Sequence, residues 1–87
     1  MKLGLIGYGK MGSEIFSLFF DSLKDTQFTI VSLYDIEKSR EAVEKLLAKQ
    51  LKRKRLTQEE YEAKCSSFIF TDDYNELSGC DAVIECV

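Results

Sequence analysis

Gly7-Tyr8-Gly9-Lys10-Met11-Gly12 decides how the rest of this 87-residue chain is read. Its glycines keep a G-x-G-x-x-G spacing. The apolar run Leu3-Gly4-Leu5-Ile6 precedes them and a segment of helical periodicity follows. Strand, glycine loop and helix, in that order, form the context in which the spacing carries meaning. Gly7 permits a tight turn off the strand, Gly9 offers no Cβ to a phosphate approaching the backbone, and Gly12 lets the helix lie close on the strand. The unpaired N–H groups and positive dipole end of the helix then face a pyrophosphate. The plainer alternative is a glycine-rich turn that holds nothing.

Outward from the loop, Phe28 to Tyr34 is β-branched and aromatic and reads as a second strand. It ends at Asp35, 23 residues past Gly12. Dinucleotide sites want an acid at the tip of the second strand, about 20 residues beyond the loop, to accept hydrogen bonds from the adenosine ribose. A carboxylate there also repels a 2′-phosphate, which favours NAD over NADP. Asp35 also precedes a helical segment, so its competing role is that of a helix N-cap. One side chain can fill both roles.

The remaining elements follow from periodicity. Residues 2–7 form the first strand. Lys10 to Lys24 forms a helix whose Ile15, Phe16, Phe19, Phe20 and Leu23 recur at helical spacing, with Leu18 between them. That stripe is wide enough to pack on a sheet and touch something more. Glu37 to Arg53 forms a second helix, with Val43, Leu46, Leu47 and Leu51 apolar and a Glu41–Lys45 pair at i, i+4. Thr57-Gln58-Glu59-Glu60 is a capping box that starts a separate short helix, Gln58 to Lys64. Ser67 to Thr71 is a third strand, 72–77 a turn or single helical turn, and Ala82 begins a fourth strand. Alternating strands and helices predict an α/β fold. It is a Rossmann-type parallel sheet of strand order 3-2-1-4, with a helical detour between strands 2 and 3.

Composition narrows the function classes. With 45% hydrophobic and 31% charged residues, the chain suits a folded globular domain rather than a disordered one. A net charge of −3 argues against a general nucleic-acid binder. No apolar run is long enough to span a membrane, and because Met1-Lys2 leads straight into a strand, no signal peptide is expected. Cys65, Cys80 and Cys86 show no C-x-x-C spacing, and there is no histidine to complete a zinc site. These apolar-flanked thiols read as buried and inert, and the expected compartment is the reducing cytoplasm.

The motifs taken together resemble the NAD-binding domain of L-3-hydroxyacyl-CoA dehydrogenases. The resemblance is carried by Gly-x-Gly-x-Met-Gly, Asp35, a long helix ending in a basic run, Leu56-Thr57-Gln58-Glu59-Glu60, Phe70-Thr71-Asp72 and Gly79-Cys80-Asp81-Ala82-Val83-Ile84-Glu85. The helical detour is its most specific part. This chain departs from the family pattern in three places. Its first helix is longer and its second shorter; Lys54 stands where the family often has glycine; and Leu46 takes the place of a substrate-holding serine.

The resemblance implies oxidation of 3-hydroxyacyl-CoA to 3-oxoacyl-CoA in fatty-acid metabolism, with NAD as hydride acceptor. It assigns Gly7, Gly9, Lys10, Met11 and Gly12 to the pyrophosphate turn and Asp35 and Ile36 to the adenosine ribose. Glu85, Cys86 and Val87 would lie against the cofactor, though Glu85 read by itself is equally an exposed strand-end acid. Lys52, Arg53 and Lys54, Arg53 foremost, are candidates to meet coenzyme A phosphates, against the plainer reading of a solvated helix end. The family's catalytic histidine, its partner glutamate and the C-terminal helical domain through which it forms homodimers lie beyond the fourth strand. Residues 1–87 are therefore expected to be an incomplete NAD-binding domain without catalytic residues of its own. The alternatives are a non-catalytic NAD-binding module or another NAD-dependent 3-hydroxyacid dehydrogenase.

Overall fold

A computed structural model describes residues 1–86. Four strands, β1 (Lys2–Ile6), β2 (Gln27–Val31), β3 (Phe68–Thr71) and β4 (Ala82–Glu85), form one parallel sheet in the order β3-β2-β1-β4. Helix α1 (Lys10–Ser22) joins β1 to β2. Helices α2 (Ile36–Lys52) and α3 (Gln58–Cys65) both lie between β2 and β3, and a 3₁₀ turn, Tyr74–Leu77, connects β3 to β4. The expected strand order and the helical detour are both present.

Strand register explains where the core sits. Leu3, Phe28 and Phe68 are aligned across three strands, and so are Leu5, Ile30 and Phe70 two residues on. Because side chains alternate along a strand, all six project from one face. There they meet Phe16 and Phe20 of α1 and Val43 and Leu47 of α2. Phe16 stacks on Phe20 at 4.8 Å and meets Phe28 edge-on at 5.4 Å. Phe20 also carries Lys64, whose Nζ sits 4.6 Å over the ring and donates to the Phe20 carbonyl at 3.1 Å. Truncating a core aromatic such as Phe16 to Ala costs about 3–5 kcal/mol.

The 3₁₀ turn covers part of the opposite face, on which Ile69 and Val83 remain exposed. A Cβ on Gly4 would stand 2.6 Å from Leu77 Cδ2, so the glycine inside β1 lets Leu77 rest on the sheet. Asp81 fastens the start of β4: its carboxylate accepts the Lys2 N–H at 2.8 Å, and its own N–H donates to the Lys2 carbonyl at 2.7 Å.

Several expectations need correction. β2 stops at Val31 rather than Tyr34, because the buried Ser32 hydroxyl donates to the Tyr34 carbonyl at 3.0 Å and bends the chain. Such a local side-chain bond competes with the ladder. α1 ends at Ser22, not Lys24, and Asp25 turns the chain at φ 54°. Leu46 is 48% exposed, so the buried stripe of α2 narrows to Val43 and Leu47. Among the described residues the ion pair on α2 is Arg40 with Glu37 at 3.1 Å, not Glu41 with Lys45. All three cysteines are half-buried rather than buried.

Candidate functional site

The turn from β1 into α1 is fixed from several sides. Gly7 adopts φ 93°, a left-handed conformation that side chains other than hydrogen disfavour. Its N–H donates to the Val31 carbonyl at 2.8 Å. A Cβ on Gly12 would collide with the Gly7 carbonyl oxygen and lie 3.0 Å from the carbonyl carbon. Both atoms are backbone, so Gly12 is glycine because the helix presses against the turn. Gly9 is different: a Cβ there would meet nothing within 4 Å. The protein itself makes no use of the space that Gly9 leaves free.

Gly9 is the N-cap of α1 and offers no side chain to its first N–H groups, and the first turn holds no acid. The N–H groups of Lys10, Met11 and Gly12 thus open the helix beside empty space, the arrangement that receives an anion. Tyr8, between the first two glycines, turns its ring into the core. It meets Phe70 edge-on at 4.9 Å and Phe16 at 5.9 Å. Burial raises its phenol pKa above the usual value, so the ring stays neutral.

Asp35 sits just past the Ser32 bend, at φ 50° and ψ 39°. It occupies the N-cap position of α2, yet its side chain accepts no cap hydrogen bond. The capping role is therefore not taken, and the carboxylate remains available beside the glycine turn. Both line one cleft of about 710 Å³, within the range of small-molecule sites of about 300–1,000 Å³. Cys86 lines it as well. Its N–H donates to the Ile6 carbonyl at 2.8 Å, and its Cβ stands 3.5 Å from where a Gly12 side chain would begin.

The structure gathers Gly7, Gly9, Asp35 and Cys86 around that cleft, with Lys10 and Met11 exposed on the adjoining helical turn and Ile36 half-buried at the start of α2. Glu85 is exposed at the end of β4, in register with Ile6, and does not line the cleft. Val87 lies outside the described residues. Lys52, Arg53 and Lys54 are exposed at the far end of α2, a 17-residue helix, about 25 Å along the axis from Asp35. Sequence reasoning passed over Ser32, Tyr34, Lys38 and Tyr74, which also line the cleft. Tyr34 could have been noticed as the neighbour of Asp35; Tyr74 reaches the cleft through the tertiary fold alone. Among the described residues no cluster of three or more His, Cys, Asp or Glu side chains forms a metal site, and no helix is long and apolar enough to cross a membrane.

Comparison with known proteins bears on this cleft. The family described as 3-hydroxyacyl-CoA dehydrogenase, NAD binding domain, matches residues 2–87. Among solved structures, 3-hydroxybutyryl-CoA dehydrogenase from Escherichia coli K12 superposes with a TM-score of 0.75 at 24% identity, over 98% of this chain and 18% of that one. M. tuberculosis FadB2 superposes with a TM-score of 0.72 at 27% identity, over 98% of this chain and 30% of that one. The chain thus spans less than a third of the length of either. No curated protein matches it in sequence.

Proposed function

Because the chain belongs to the 3-hydroxyacyl-CoA dehydrogenase family, whose NAD-binding domain it matches along residues 2–87, we propose that it is the cofactor-holding part of an enzyme that oxidises 3-hydroxyacyl-CoA to 3-oxoacyl-CoA. The family's cofactor is NAD, which supplies the hydride-accepting nicotinamide. The residues present fit it. The observation that carries the reading is the empty volume at Gly9, flanked by uncapped helix N–H groups and by an uncommitted Asp35 carboxylate. In this reading the N–H groups of the Gly9–Gly12 turn hold the pyrophosphate, and Asp35 accepts hydrogen bonds from the adenosine ribose hydroxyls. Cys86 borders the cofactor just past the end of β4, Ile36 backs the ribose, and Glu85 stands as an exposed strand-end acid outside the cleft.

The acyl-CoA end is proposed for the basic run. Lys52 closes α2, Arg53 is its C-cap and Lys54 follows in a left-handed conformation, all three exposed. Cations at a helix C-terminus are well placed for coenzyme A phosphates. Their separation from Asp35 suits two different ligands rather than one site. A cytoplasmic setting and a homodimer of the complete enzyme belong to the same proposal.

Calorimetry tests the cofactor reading. The chain should bind NAD more tightly than NADP, and Asp35→Ala should weaken NAD binding by about 1–3 kcal/mol, because the ribose loses a charged acceptor. Equal or tighter binding of NADP to the unaltered chain would overturn it. For the basic run, coenzyme A should shift the NMR signals of Lys52 to Lys54 more than 3′-dephospho-coenzyme A does.

A further inference from the structure

Three of the four tyrosines in this chain, Tyr8, Tyr34 and Tyr74, line the cleft that also contains Asp35. Tyr8 is committed to the core by its contacts with Phe70 and Phe16. The other two are not. Tyr34 is 79% exposed and Tyr74 52% exposed. We propose that Tyr34 and Tyr74 stack on the adenine ring of the bound dinucleotide. This rests on the cofactor reading above and adds the residues that hold the base.

Both rings hang from backbone that is already fixed. The buried Ser32 hydroxyl donates to the Tyr34 carbonyl at 3.0 Å and accepts the Tyr34 N–H at 3.4 Å. Tyr74 opens the 3₁₀ turn, whose N-cap Asp73 accepts the Asn75 N–H at 2.9 Å. Asp73 in turn donates its own N–H to Thr71 Oγ1 at 3.1 Å. Neither ring must reorganise its main chain to meet a ligand, which keeps the entropic cost of binding low.

The chemistry of the ligand selects the occupant. Adenine is joined directly to the ribose, so a ribose held by Asp35 leaves its base among the side chains beside Asp35. Tyr34 is the adjacent residue in the chain, and Tyr74 shares the same cleft. A purine presents two flat π faces, and an aromatic ring stacked on a base contributes through area and π contact without demanding one hydrogen-bond pattern.

The test is calorimetric binding of NAD to the intact chain and to Tyr34→Ala, Tyr34→Phe, Tyr74→Ala and Tyr74→Phe. Both rings are exposed, so circular dichroism should report unchanged folding in every variant. Each alanine variant should bind NAD about 5- to 100-fold more weakly, and each phenylalanine variant should recover wild-type affinity to within about threefold, since stacking needs the ring and not the hydroxyl. Alanine variants that bind as tightly as the unaltered chain would overturn the proposal. So would phenylalanine variants as weak as the alanine ones, which would assign the effect to the hydroxyls. Failure of the unaltered chain to bind NAD at all is the separate result that would remove the cofactor reading, and this proposal with it.

Discussion

Gly9 and Gly12 are the same residue three positions apart, yet a methyl group added to each has different consequences. On Gly12 it strikes the Gly7 backbone, which cannot move without opening the turn. We therefore expect Gly12→Ala to destabilise the fold by about 1–3 kcal/mol, the usual penalty of overpacking, read as a shift in denaturant midpoint. On Gly9 a side chain enters open space. Gly9→Val should leave the midpoint close to the unaltered value while abolishing NAD binding, because the side chain takes the phosphate's volume. A folded Gly9→Val that binds NAD normally would show the loop to be only a turn. The glycine spacing and Asp35 were legible in the sequence because their chemistry is local: a turn, a close approach, an acid at a fixed interval. Tyr8, Ser32 and Tyr74 were not, because what each does depends on Phe70, on a bend or on the tertiary fold.

Between α2 and α3, helix ends make the detour specific. The Arg55 N–H donates to the Gln50 carbonyl at 2.9 Å and the Lys54 N–H to the Leu51 carbonyl at 3.0 Å. This is the Schellman pattern, which calls for a left-handed residue at the position Lys54 fills with φ 59°. Glycine, which has no Cβ to strain, suits that position better than lysine. Left-handed backbone costs a side-chain-bearing residue about 1–2 kcal/mol, while glycine loses more entropy on folding by about 0.5–1 kcal/mol. Lys54→Gly should therefore stabilise the chain by up to about 1.5 kcal/mol. In thermal unfolding its midpoint should rise; a fall would contradict the argument.

At the start of α3 the capping box is fully formed. Thr57 Oγ1 accepts the Glu60 N–H at 3.1 Å, and Glu60 Oε1 accepts the Thr57 N–H at 2.9 Å. Thr57→Ala should cost about 1 kcal/mol. The hydrogen bond from the Thr57 backbone, then that with its side chain, lowers the Glu60 pKa. A depressed carboxyl pKa contributes stability above the unfolded value, and that contribution is lost as pH falls through the folded one. Acid titration of the unaltered chain should therefore show a loss that Glu60→Gln lacks. The Thr-Gln-Glu-Glu signature made this element readable from sequence. The short β2 and the exposed Leu46 were not, because a serine side-chain bond and the face that α2 turns to the sheet are set by tertiary packing and leave no periodic mark.

At the scale of the whole molecule, holding a dinucleotide and transferring a hydride place different demands on the chain. Oxidising a 3-hydroxyl group requires a base within hydrogen-bond reach of that hydroxyl. These residues contain no histidine. Asp35 is the carboxylate that lines the cleft, and in the proposed reading it is taken up by the ribose. Glu85 is exposed and does not line the cleft. The nicotinamide end would also stand open to solvent, because β4 is an edge of the sheet and its Ala82, Val83 and Glu85 are exposed. Water there competes for every polar contact that the reaction would use. We therefore expect these 87 residues to bind NADH but leave its absorbance constant in the presence of acetoacetyl-CoA. Among the described residues β4 is the outermost strand on that side and carries an exposed, apolar Val83, the arrangement through which strands pair with other chains. Sedimentation should show association that grows with concentration and is reduced by Val83→Lys. Steady consumption of NADH by the pure chain would mean that a proton donor, the base of the oxidation direction, acts from within these residues, and Glu85→Gln would be the first variant to make.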